Sequence, residues 1–201
     1  MKNYKIGENK LSVDIVEEII SNETVISLSS SSKKKVKSSN NYLLKKIKSD
    51  NNPIYGINTG FGSLYNHKIS NNELSKLQKN LVVSHACGVG EEVPSELVKI
   101  ILLLKIQSLS FGNSGVNIKT IQRLIDMYNN DILPIIYEQG SLGASGDLAP
   151  LAHMSLPLLG LGDVEVSNNP KYKKYDRIKS SKILKDMGWD ILSLGPKEGL
   201  A

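Results

Sequence analysis

Apolar residues recur at helical spacing along most of the chain. Val13, Val16, Ile19 and Ile20 follow Ser12, a residue suited to capping a helix N-terminus. Residues 29–40 are rich in Ser, Lys and Asn and read as a low-complexity patch with little to bury. Leu43, Leu44 and Ile47 then mark a helix that Asp50-Asn51-Asn52-Pro53 should stop. Leu74, Leu77 and Leu81 fall at i, i+3 and i+7. Val93-Pro94-Ser95 opens a longer helix whose positions 97–109 are apolar on most faces, the pattern of a helix buried among others. Ile118, Ile121, Leu124, Ile125 and Tyr128 give an amphipathic helix with Asn117 as its cap. A short strand or hairpin is expected at Asp163 to Val166 and one or two helical turns at Lys182 to Met187. The predicted class is therefore mainly α, with glycine-rich loops at 56–62 and 140–146, where chemistry tends to sit on a helical scaffold.

Composition narrows the function classes. The 201 residues suit one large domain or two small ones, and 40% hydrophobic with 22% charged residues is ordinary for a globular chain. No stretch approaches the roughly 20 apolar residues of a membrane helix, so no membrane role is expected. The first residues lack the apolar core of a secretory signal, and Cys87 is the sole cysteine; a cytoplasmic protein without an internal disulfide is expected. The net charge of +5 comes almost entirely from Lys, with only Arg123 and Arg177 as arginines, and aromatics are 5%. Base readout leans on Arg forks and single-strand binding on aromatic platforms, so nucleic acid is not the expected partner. No metal-ligand spacing is present.

The most informative segment runs from Gln139 to His153, centred on Ala144-Ser145-Gly146. In a tightly bent loop the Gly146 nitrogen can approach the Ala144 carbonyl carbon, because glycine has no Cβ to block it. Attack closes a five-membered ring, and loss of water from the ring and from the Ser145 side chain leaves a conjugated methylidene-imidazolone. Serine supplies the exocyclic methylene, glycine the unhindered nitrogen and alanine an uncrowded carbonyl. The same residues also suit a plain glycine-rich turn, or a helix N-terminus that binds an anion with Ser145 as cap and Asp147 at the positive end. The tripeptide by itself does not choose between them.

Its surroundings do. Gly140-Ser-Leu-Gly-Ala-Ser-Gly-Asp-Leu-Ala-Pro-Leu-Ala-His153 resembles the signature of the aromatic amino acid ammonia-lyases. Tyr55-Gly-Ile-Asn-Thr-Gly-Phe-Gly62 is similar to that family's catalytic tyrosine loop, and Ser84-His85-Ala-Cys-Gly88 to its substrate-selectivity segment. The three occur in the family's order and at its spacing. The resemblance implies the N-terminal domain of the helical ammonia-lyase fold over residues 1–201, without the long central helix bundle. It implies a methylidene-imidazolone built from Ala144, Ser145 and Gly146, with no external cofactor and no metal. It implies an amino acid substrate from which ammonia and a β-hydrogen are eliminated, with Tyr55 as general base. In this family the residue pair at 84–85 varies with substrate: Ser-His accompanies histidine, His-Leu tyrosine and Phe-Leu phenylalanine. Ser84 and His85 therefore imply L-histidine as substrate and urocanate as product. Asn58 and Thr59 are expected to shape the tyrosine loop, and Asp147 to support the cyclising triad. A homotetramer is implied for the full-length family member.

Read without the resemblance, Tyr55 would be a loop aromatic over the core, His85 a cation at a helix C-terminus, Cys87 a small packed residue and His153 a satisfied buried histidine. The sequence also departs from the family. Lys105 and Gln107 stand where Arg and Asn are usual, and Tyr137 replaces a proline before the triad. Lys197-Glu-Gly-Leu-Ala201 matches the start of a segment that in the family continues into an Asn-Gly-Thr loop. The expectation is a truncated or split family member. The rival readings are a phenylalanine or tyrosine ammonia-lyase, an aminomutase, or a catalytically inactive fragment of such an enzyme.

Overall fold

The computed structural model describes residues 3–50, 52–140, 148–167 and 171–199. Strand β1 (Asn3–Ile6) runs parallel to β2 (Val25–Leu28), in register from Asn3 opposite Val25 to Ile6 opposite Leu28. A parallel pair needs a crossover, and helix α1 (Val13–Ser21) supplies it. Ser12 caps α1 as expected, its hydroxyl accepting from the Ile15 amide at 3.3 Å. Val13 does not join the apolar stripe; it points to solvent, while Ile15, Val16, Ile19 and Ile20 pack inward.

The Ser-Lys-Asn patch is a helix, contrary to its composition. Helix α2 spans Ser30–Ser49, with Ser29 capping it through the Ser32 amide at 3.1 Å. Its buried stripe is thin, formed by Ser32, Val36, Leu43 and Ile47. It ends at Asp50, whose carboxylate meets Lys46 Nζ at 2.6 Å. Helix α3 spans Leu74–His85, and strand β3 (Val89–Glu92) follows it.

Helices α4 (Ser95–Ser110) and α5 (Ile118–Asn129) form the centre of the main core. Leu102, Leu103 and Ile106 of α4 and Ile121, Leu124 and Ile125 of α5 are buried there, each contributing about 1.5–3 kcal/mol relative to exposure. Helix α4 is not covered on every side: Leu97 and Leu104 are about half exposed. Asn117 caps α5 through the Lys119 amide.

Strands β4 (Ile132–Pro134) and β5 (Tyr137–Gln139) follow, then helix α6 (Leu148–Ser155), strands β6 (Asp163–Val166) and β7 (Asp176–Lys179), and helix α7 (Ser180–Met187). An antiparallel sheet of order β4-β6-β7 lies against the core, and β3 pairs antiparallel with β5 as a separate ribbon. The strand expected at 163–166 and the helix expected near 182–187 are both present. Among the described residues no helix is long and apolar enough to cross a membrane.

Candidate active site

The loop bearing Tyr55 is tied by Asn58, which is 2% exposed. The Asn58 side chain accepts from the Ile54 amide at 2.6 Å and donates to the Asn52 carbonyl at 3.0 Å. Its carbonyl accepts from the Ile69 amide at 2.8 Å, and Thr59 bridges to Lys68. Ile57 and Ile69 pack against Leu43, Ile47 and Leu74, which seats the loop on α2 and the start of α3. Gly60 is required: a Cβ there would stand 2.7 Å from the Leu64 Cβ and 2.8 Å from the Leu64 carbonyl oxygen. Asn58 and Thr59 thus shape the loop as the sequence indicates. Tyr55 itself is 59% exposed, its ring edge-on to Phe61 at 6.1 Å and its hydroxyl 3.5 Å from the Gly62 amide.

Ser84 and His85 form the last turn of α3. The Ser84 hydroxyl donates to the Leu81 carbonyl at 3.0 Å, and His85 Nδ1 lies 2.8 Å from the same carbonyl. A carbonyl oxygen only accepts, so Nδ1 carries the proton and Nε2 of the neutral ring is left as an acceptor. His85 lines a cavity of about 60 Å³ with Leu81, Val82, Leu148, Leu151, Ser155 and Glu198. That volume holds a few waters, not an amino acid. The described residues therefore form one wall of a site rather than a closed one.

Ala144, Ser145, Gly146 and Asp147 lie outside the described residues. Their two flanks are placed. Gly140 ends β5 beside Gly88: a Cβ on Gly140 would stand 2.8 Å from the Gly88 Cα and 3.1 Å from the Ala149 Cβ. Leu148 opens α6 and lines the cavity with His85. Pro150 falls in the first turn of α6, where no amide donor is needed. The β3–β5 ribbon, pairing Val89 with Gln139 and Glu92 with Tyr137, holds the selectivity segment against the start of the 141–147 segment. The structure so brings His85 beside Leu148 and Gly88 beside Gly140, the two residues that flank the 141–147 segment. Tyr55 belongs to a separate group, since its ring and hydroxyl partners are Phe61 and Gly62.

Cys87 is exposed rather than packed, because the chain has already left α3 and turns toward β3. His153 is buried as expected, its Nε2 accepting from the Gly88 amide at 2.9 Å, and burial holds its pKa below the ordinary histidine value. Sequence reasoning missed Glu198. One of its carboxylate oxygens accepts from the Asn117 amide at 2.8 Å and from the Thr120 hydroxyl, and the other from the Gly195 amide at 2.5 Å. No local pattern marks a glutamate whose partners lie on a distant helix cap. No cluster of His, Cys, Asp and Glu among the described residues could hold a metal ion.

Comparison with known proteins gives the family. A family model described as aromatic amino acid lyase matches residues 11–201. The chain is 45% identical over 159 residues to histidine ammonia-lyase of Deinococcus radiodurans, covering 79% of this chain and 29% of that protein. It is 44% identical over 200 residues to histidine ammonia-lyase of Legionella pneumophila (strain Philadelphia 1), covering all of this chain and 38% of that one. The crystal structure of histidine ammonia-lyase from Trypanosoma cruzi superposes with a TM-score of 0.84 at 29% identity, over 100% of this chain and 37% of the other. The chain spans well under half the length of these relatives and has the N-terminal part of the helical ammonia-lyase fold. It belongs to the aromatic amino acid lyase family.

Proposed function

We propose that this chain is the N-terminal part of a histidine ammonia-lyase, which eliminates ammonia from L-histidine to give urocanate. The observation that carries the reading is the last turn of α3. His85 donates through Nδ1 to Leu81, leaving Nε2 of the neutral ring to accept an N–H from the substrate imidazole, in a cavity it shares with Leu148, the residue that follows the segment containing Ala144-Ser145-Gly146. A Phe-Leu pair at 84–85 would leave the imidazole nitrogens without partners, at about 1–3 kcal/mol each.

The flanks of the segment suit a tightly bent loop, since Gly140 has no room for a side chain between Gly88 and Ala149. Ala144, Ser145 and Gly146 would hold the methylidene-imidazolone, which supplies an electrophile for the substrate without an external cofactor. Asp147 supports the loop, and Tyr55, held out toward solvent by the Asn58-tied loop, removes the β-proton. The complete enzyme acts as a cytoplasmic homotetramer. Residues 1–201 alone are inactive, because a 60 Å³ cavity does not enclose the substrate.

Peptide mass spectrometry of the purified chain tests the electrophile. Loss of two waters confined to Ala144–Gly146, abolished in Ser145→Ala, is the expected result. An unmodified segment in folded protein of full family length would overturn the assignment. Urocanate formed by the isolated 201 residues, and lost in Tyr55→Phe, would overturn the claim that they are inactive alone.

A further inference from the structure

Three segments of the site meet at one buried contact. The Gly88 amide donates to His153 Nε2 at 2.9 Å, and His153 is only 9% exposed. A Cβ on Gly88 would collide with that nitrogen at 2.9 Å and crowd the Tyr137 Cβ at 3.1 Å. On its other face Gly88 meets Gly140, the last residue before the cyclising segment. The Tyr137 ring stands edge-on to the imidazole at 5.2 Å. Its hydroxyl accepts from Arg177 at 3.1 Å, and Arg177 is paired with Glu92 and Asp163. The imidazole is thus braced by the β3–β5 ribbon, and the ribbon by β6 and β7.

We propose that His153 is a positioning residue of the lyase site: its neutral ring holds the Gly88 backbone, and through it fixes the spacing between the last turn of α3 and Gly140, the residue before the 141–147 segment. The inference rests on the functional reading above and adds a residue to it. An N–H can be accepted only by an unprotonated nitrogen, so the ring must carry its proton on Nδ1. His153 sits on α6, just after the segment, while Gly88 closes the selectivity turn just before β3. The bond therefore spans the two parts whose separation matters. No side chain stands between Gly140, Gly88 and the imidazole, so displacement of any one moves the other two. The titratable group against the ring is the Tyr137 phenol of β5, which carries Arg177 on its oxygen; His85 and Cys87 lie in the chain leading to Gly88. Helix α6 has no other charged residue.

The test compares His153→Phe and His153→Gln with the unmutated 201-residue chain. Two quantities are read: the doubly dehydrated fraction of the Ala144–Gly146 peptide, and hydrogen exchange of the Gly88 amide by NMR across the histidine titration. Phenylalanine keeps the ring but cannot accept, so dehydration should fall roughly tenfold or more, as a shift of about an ångström suffices for that. Glutamine offers an amide oxygen in place of Nε2 and should restore most of it. In the unmutated chain, Gly88 protection should be lost as His153 is protonated. Dehydration of His153→Phe at the unmutated rate, or Gly88 exchange indifferent to His153 protonation, would overturn the proposal. If His153→Phe does not fold, the exchange measurement on the unmutated chain decides alone. If the unmutated 201-residue chain does not dehydrate, the same exchange measurement still judges the role of His153, and the electrophile assignment is judged separately in protein of full family length.

Discussion

The Thr120 hydroxyl donates to Glu198 at 2.7 Å, joining the first turn of α5 to a segment 78 residues further along. Glu198 also takes the Asn117 and Gly195 amides, and the next residue, Gly199, donates to Gln78 Oε1 at 2.8 Å. The chain is thereby clipped across α5 onto α3, next to the cavity that His85 lines. Glu198→Ala should lower stability by about 1–3 kcal/mol, and Thr120→Val by about 1 kcal/mol. Denaturant midpoints measure both, and an unchanged midpoint for Glu198→Ala would show that the clip contributes nothing.

Exchange of the pair at 84–85 should change substrate preference in protein of the full family length. Ser84→Phe with His85→Leu removes the Nε2 acceptor and should cut kcat/KM for L-histidine by the equivalent of about 1–3 kcal/mol, roughly 5- to 160-fold, while favouring L-phenylalanine. Steady-state kinetics with both amino acids decides. Equal turnover of the two by the unmutated protein would show that the pair is not the selector.

Burial lowers the His153 pKa in the folded chain. Its contribution to stability is fully present above the unfolded value of about 6.5 and is lost as pH falls through the lower folded value. Thermal midpoints should therefore drop as the solution is acidified below about pH 6.5. In His153→Gln that component of the slope should vanish. A parallel pH profile in the variant would assign the slope to other groups.

Two leucines two positions apart on α4 should differ sharply. Leu102 is wholly buried, and Leu102→Ala should cost about 2–5 kcal/mol. Leu104 is half exposed, and Leu104→Ala should fall within about 0.5 kcal/mol of the unmutated chain. Equal losses at both positions would mean that solution packing of α4 differs from the arrangement described.

Where apolar residues recur densely, as in α4 and α5, the helices were legible, and so were the caps Ser12 and Asn117, since a short oxygen-bearing side chain before an apolar stripe has few other uses. The first half of α2 was hidden because its inward face shows an apolar residue only at Val36 before Leu43, and Ser32 fills the turn between the cap and Val36. Periodicity cannot register so sparse a stripe. Strands of three or four residues, such as β3 and β5, are too short to alternate visibly, and their pairing is decided by tertiary context. The candidate site was legible only as motifs: Tyr55, Ser84, His85 and the 140–153 signature. Its assembly was not, because the contacts that build it, Gly88 with His153 and Gly140 with Gly88, link glycines whose role is to have no side chain.

The β3–β5 ribbon has a consequence for the order of events. Helices α4 and α5 and strand β4 all lie in sequence between its two strands, so the pairing that sets Gly140 beside Gly88 closes a long loop and must overcome that loop's closure entropy. A short peptide bearing Ala-Ser-Gly holds the same atoms without the same confinement. If Ala144-Ser145-Gly146 cyclises as proposed, dehydration of Ser145 is a late event and a permanent one. Its presence in a molecule is a covalent record that the chain once reached its folded state.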